Sequence, residues 1–107
     1  MTTLITSTGT QLVISNPTIE EAKKIVGGGL SVICLTDYYI FICRKDYEEG
    51  MKQNILASRL LSYVKNDYLA LCGDVILTDI KFLNQLWKKE GQEVHLKKNL
   101  TVCFRFG

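Results

Sequence analysis

Leu30-Ser31-Val32-Ile33-Cys34-Leu35-Thr36-Asp37-Tyr38-Tyr39-Ile40-Phe41-Ile42-Cys43 is the stretch whose reading decides the fold. Two apolar runs meet at Thr36-Asp37, the pattern of two strands joined by a turn. With Thr36-Asp37 as a two-residue turn, Leu30, Val32 and Cys34 share one sheet face with Tyr39, Phe41 and Cys43. Ser31, Ile33, Leu35, Tyr38, Ile40 and Ile42 then form the other. Both faces are apolar, as in central strands covered on both sides, so a helix or a partner subunit is expected on each. Thr-Asp is not one of the pairs that favour a primed turn, so the turn chemistry leaves the register open. The wider apolar run, Gly27 to Cys43, is 17 residues long and contains Asp37. A bilayer span needs about 20 apolar residues, and no transmembrane helix or membrane partner is expected.

Upstream of this hairpin, Leu4-Ile5-Thr6 and Gln11-Leu12-Val13-Ile14 flank Ser7-Thr8-Gly9-Thr10, a second hairpin in which Gly9 supplies the positive φ. Thr18 and Glu21 form a T-x-x-E capping box, and Ile19, Ala22, Ile25 and Val26 recur at helical spacing until Gly27 stops the helix. Downstream, Asn54 caps a helix with Ala57, Leu60, Leu61 and Val64 on one face. Cys72 to Thr78 reads as a turn and a short strand. Asp79 caps a third helix with Leu83, Leu86 and Trp87 inward, and alternating Leu100, Val102, Phe104 and Phe106 mark a last strand. The order ββαββαβαβ predicts an α+β domain, residues 1–107, with a mixed or antiparallel sheet and about three helices.

Composition narrows the function classes. In 107 residues, 47% hydrophobic content excludes disorder, and 13 Lys+Arg against 11 Asp+Glu lack the basic excess of a non-specific nucleic-acid binder. From Lys81 onward, however, six basic side chains face two acidic ones. Met1 to Ile5 has no cationic start and no apolar h-region follows, so no secretory signal is expected. Cys34, Cys43, Cys72 and Cys103 contain no C-x-x-C pair, which argues against a four-cysteine zinc site. Buried free thiols in a reducing cytosol are the expectation.

Three segments occur in order: Ile25-Val26-Gly27-Gly28 running into a strand, Glu48-Glu49-Gly50 with Asn54-Ile55-Leu56-Ala57 and Leu60-Leu61, and Gly73-Asp74-Val75. In this order and spacing the chain resembles a family of short proteins defined only as a domain of unknown function, numbered 3846, with members in bacteria, bacteriophages and large DNA viruses of algae. The similarity spans about Leu4 to Asp79. The resemblance implies a viral or mobile-element origin and carries no established activity, so no catalytic residue is transferred.

The candidate sites follow from residue chemistry. Gly27-Gly28-Gly29 follows a helix and precedes a strand, the reverse of a phosphate-binding loop, and reads as a tight turn. His95 is the single histidine, with no nucleophile placed beside it by the sequence. Asp37, Asp46, Glu48, Glu49, Asp74 and Asp79 would hold Mg²⁺ only if their loops converged, and read as solvated acids. Asp74 reads as a turn residue capping local N–H groups. Tyr47, in the charged loop Arg44 to Gln53, is harder to attribute to packing, so Arg44 and Tyr47 are the first binding candidates. Lys88, Lys89, Lys97, Lys98 and Arg105 are the candidates for an anionic partner such as nucleic acid.

The expectation is a small non-catalytic binding protein of a virus or mobile element. It would have no cofactor and no catalytic or metal site, and would act in the host cytoplasm on a macromolecule or by sequestering a small ligand. The partner is expected to be a protein or a small ligand, with a homo-oligomer also open; the alternatives are a minor virion component whose strand edges pair with neighbours, and a nucleic-acid-binding accessory protein using the basic C-terminal quarter.

Overall fold

Local chemistry sets the elements in the computed structural model, which describes residues 2–65, 69–82 and 102–106. Strands β1 (Thr2–Ile5) and β2 (Gln11–Ile14) are joined by a turn in which Gly9 has φ 92°, and helix α1 (Ile19–Val26) follows. The expected capping box is formed: Thr18 Oγ1 accepts from Glu21 N and Glu21 Oε1 accepts from Thr18 N. Gly27, at φ 86°, ends the helix in the left-handed region. Strands β3 (Leu30–Cys34) and β4 (Tyr39–Arg44), helix α2 (Ile55–Lys65), and strands β5 (Val75–Asp79) and β6 (Val102–Phe106) complete the order. A helical turn begins at Ile80, with Asp79 Oδ1 accepting from Phe82 N at 2.7 Å, the predicted cap of a third helix. Leu83, Leu86 and Trp87 lie outside the described residues.

The six strands form one sheet in the order β2-β1-β5-β4-β3-β6, and every neighbouring pair is antiparallel. The fold is therefore α+β with an antiparallel sheet. Strand β5 enters between β1 and β4, so it joins the N-terminal hairpin to the central one.

The central hairpin has apolar faces covered by helices, as its sequence demands, but its register differs from the two-residue-turn reading. Val32 pairs with Ile42, Ile33 with Phe41 and Cys34 with Ile40. Leu35 N donates to Tyr39 O, and Thr36 Oγ1 accepts from the N–H groups of Tyr38 and Tyr39. The Thr36 hydroxyl thus draws Tyr38 into the turn, and the added residue exchanges the two faces of one strand. Leu30, Val32, Ile40, Ile42 and Ile76 pack with Ile19, Ala22 and Val26 of α1. Ile33, Leu35, Phe41, Cys43 and Val75 pack on the other side with Ala57 and Leu61 of α2 and with Leu71. Because both faces are apolar, the hydrophobic pattern alone fits either register. On α2, Val64 is exposed rather than part of the packed face, and Ser58 takes its place in the interior.

Asn54 joins the pieces. It is fully buried, its Oδ1 accepts from Ala57 N at 3.0 Å, and its Nδ2 donates to Ile5 O and Gly73 O, each at 2.9 Å. Its backbone N donates to Leu71 O at 2.7 Å. One amide therefore caps α2 and ties that cap both to the end of β1 and to the turn before β5. Asn54→Asp keeps the capping oxygen but turns a carboxylate toward two carbonyls that have lost their donor. A buried acceptor left without its donor costs about 1–3 kcal/mol. We expect Asn54→Asp to destabilise the fold by at least about 3 kcal/mol at neutral pH, measured by urea unfolding, with the loss smaller at acid pH where the carboxyl is protonated.

Candidate functional site

The loop from Arg44 to Gln53 is built around one turn and one anchored cation. Met51 N donates to Glu48 O at 3.1 Å, and Gly50 has φ 90° at the third position, as a type II turn requires. This accounts for the Glu48-Glu49-Gly50 spacing. Beyond it the chain runs against the segment before β5: Gln53 bridges Cys72, and Gly73 N donates to Lys52 O at 2.8 Å. Gly73, at φ 78°, brings its backbone under Met51, where a Cβ would stand 3.0 Å from Met51 Cε.

Between this loop and residues 69–72 lies a cleft of about 230 Å³. Ile33, Met51 and Leu71 give it apolar walls, Ser31, Cys43 and Cys72 give it small polarisable groups, and Arg44 and Tyr47 border it. Tyr47 is 70% exposed, so no packing partner accounts for the position of its ring. Arg44 is held more firmly. Its Nη2 lies 3.0 Å from Glu48 Oε2, and a Cβ on Gly28 would stand 2.9 Å from its Nε. The guanidinium thus lies against the glycine turn at the C-terminal end of α1, where a cation is favoured by the helix dipole. Gly27 N and Gly28 N both donate to Lys23 O, which closes the helix as a tight turn. The glycine run is a turn, as its order after a helix requires, and the structure adds that it seats Arg44.

Arg105 pairs in register with Ser31 across β3 and β6. Lys88, Lys89, Lys97, Lys98 and His95 lie outside the described residues. Asp74 does not cap its own turn: its Oδ1 accepts from Ser7 N of the β1–β2 turn at 3.0 Å, joining two turns at one end of the sheet. Among the described residues, no three His, Cys, Asp or Glu side chains gather into a metal-binding group. Nor is any helix among them long and apolar enough to cross a membrane.

Sequence reasoning did not assign Ser31, Cys43, Met51, Leu71 and Cys72 to a common cleft. Each reads as an ordinary core or loop residue, and only the crossing of two distant segments brings them together. Tyr38 lies in the turn rather than in a strand, and the Thr36 turn leaves it 73% exposed beside a second hollow at the opposite end of the central hairpin. Asp37 beside two tyrosines at a hairpin tip was the available signal.

The cysteines also differ from expectation. Cys43 and Cys72 are free thiols, but Cys34 is disulfide-bonded, so the case for a reducing compartment loses its cysteine argument. Comparison of the chain with protein-family models, curated proteins and solved structures finds no match.

Burial pushes the Cys43 thiol up to about 12, since the thiolate would lie among apolar walls. The neutral form is favoured in the folded state. Its contribution is therefore fully present below the unfolded thiol's pKa near 9 and is lost as pH rises through the window between 9 and about 12. We expect thiol-labelling kinetics on the native protein at pH 8 to show Cys72 reacting first and Cys43 reacting only on unfolding. Urea midpoints should fall above pH 9 and fall less in Cys43→Ala.

Proposed function

We propose that this chain is a small, non-catalytic binding protein of a virus or mobile element, which holds a side chain of a protein partner in the cleft between the Arg44–Gln53 loop and residues 69–72. The observation that carries the reading is Tyr47, an exposed aromatic ring beside an apolar-walled cleft whose other border is an anchored arginine. Tyrosine and arginine dominate the energetics of protein interfaces because each combines a large contact area with directed polar groups. The cleft volume selects the occupant. About 230 Å³ lies below the roughly 300–1,000 Å³ of pockets for drug-sized ligands, so a single inserted side chain fits better than a nucleotide.

The guanidinium and the Tyr47 hydroxyl supply donors at the border, and the thiols and Met51 supply a polarisable interior. An apolar or aromatic partner residue flanked by a carboxylate matches that arrangement. The resemblance to the family of unknown function supports the viral or mobile-element origin.

Native mass spectrometry of the protein recovered from its natural host tests the reading. A complex of defined stoichiometry is expected. Tyr47→Ala should weaken it by at least about tenfold without moving the thermal midpoint, since truncating an interface anchor costs about 1–2 kcal/mol or more. Gly28→Ala should weaken it through displacement of Arg44. A chain recovered alone, or a complex indifferent to both substitutions, rules the cleft out.

A further inference from the structure

No charged side chain occurs between Met1 and Ile19, so the whole β1–β2 hairpin is uncharged. That hairpin forms one edge of the sheet, with β2 outermost. Leu12 is 48% exposed and Val13 is 70% exposed, on opposite faces of the edge strand. Thr6 N donates to Thr10 O at 2.9 Å, and the alternation of an antiparallel ladder starting there turns the N–H and C=O groups of Gln11 and Val13 outward. Sheet edges are ordinarily guarded by lysine, proline, a bulge or an inward charge. Gln11-Leu12-Val13-Ile14 has none of these, and its pairing with β1 runs without a register shift.

We propose that β2 pairs antiparallel with β2 of a second copy of this chain, joining two sheets across a two-fold axis near Leu12. Three features favour a second copy as the occupant. The outward groups of Gln11 and Val13 match each other's donors and acceptors under a two-fold, with Gln11 opposite Val13 of the second copy in both directions. Leu12 then meets Leu12 of the second copy, which removes exposed apolar surface from both. The uncharged hairpin brings no like charges together, the usual penalty of self-pairing. The contact is short, well under the roughly 1,000 Å² of durable interfaces, so the dimer forms and dissociates with concentration.

Sedimentation velocity of the full chain from micromolar to near-millimolar concentration tests this, together with amide hydrogen exchange. The expected result is a monomer–dimer equilibrium in which the Gln11 and Val13 amides become protected as concentration rises. Val13→Lys, at a site too exposed to disturb the core, should raise the dimer dissociation constant by at least about tenfold. Tyr63→Lys, on the exposed side of α2, should leave it unchanged. A monomer at every concentration overturns the proposal, as does a dimer that survives Val13→Lys or growth beyond two copies.

Discussion

One buried amide holds this structure in register. Asn54 uses both of its donor hydrogens and its carbonyl oxygen on backbone groups from three places in the chain: the end of β1, the turn before β5 and the first turn of α2. Ser58, one turn further along the helix, repeats the theme, its hydroxyl accepting from Leu71 N at 2.8 Å. Together they dock residues 71–73 on α2, and β5 can enter the sheet only from there. Such a cluster is favourable because no buried side-chain polar atom among the described residues lacks a partner. A satisfied polar cluster rigidifies, whereas a half-satisfied one costs more than an apolar filling would.

The consequences run outward to the cleft. With 51–54 laid against 71–73, the Arg44–Gln53 loop has one fixed end at β4 and the other at α2. Glu48 then lies within reach of Arg44, and Gly28 leaves the space the guanidinium occupies. The cleft is what remains between a loop held at both ends and the segment it crosses. Its position follows from sheet topology, since β4 and β5 are neighbours and the crossing segments feed those two strands.

Much of the local structure was legible. The capping box at Thr18, the Gly27 stop, the Asn54 cap and the Asp79 cap all lie where their residue types call for them, because each is decided by hydrogen bonds within three or four residues. The two-faced apolar hairpin announced helices on both sides, and α1 and α2 provide them. The register was not legible, for a reason also local: a threonine hydroxyl able to bind two N–H groups lengthened the turn, in a hairpin whose pattern is apolar either way. For the site, Arg44 and Tyr47 stood out by being an arginine and a tyrosine in a charged loop. The cleft walls did not, because Ile33, Met51 and Leu71 carry no chemistry until distant segments meet.

Sequence alone determined the class, α+β, the element order and the capping residues, since these rest on periodicity and short-range hydrogen bonds. The tertiary structure decided that the sheet is wholly antiparallel, that Asp74 serves the β1–β2 turn rather than its own, and that the glycine run seats an arginine. It also decided that an uncharged hairpin forms an outer edge. Each of these depends on which strands become neighbours, and that choice is made by burial and by backbone groups finding partners far along the chain, which no local pattern records.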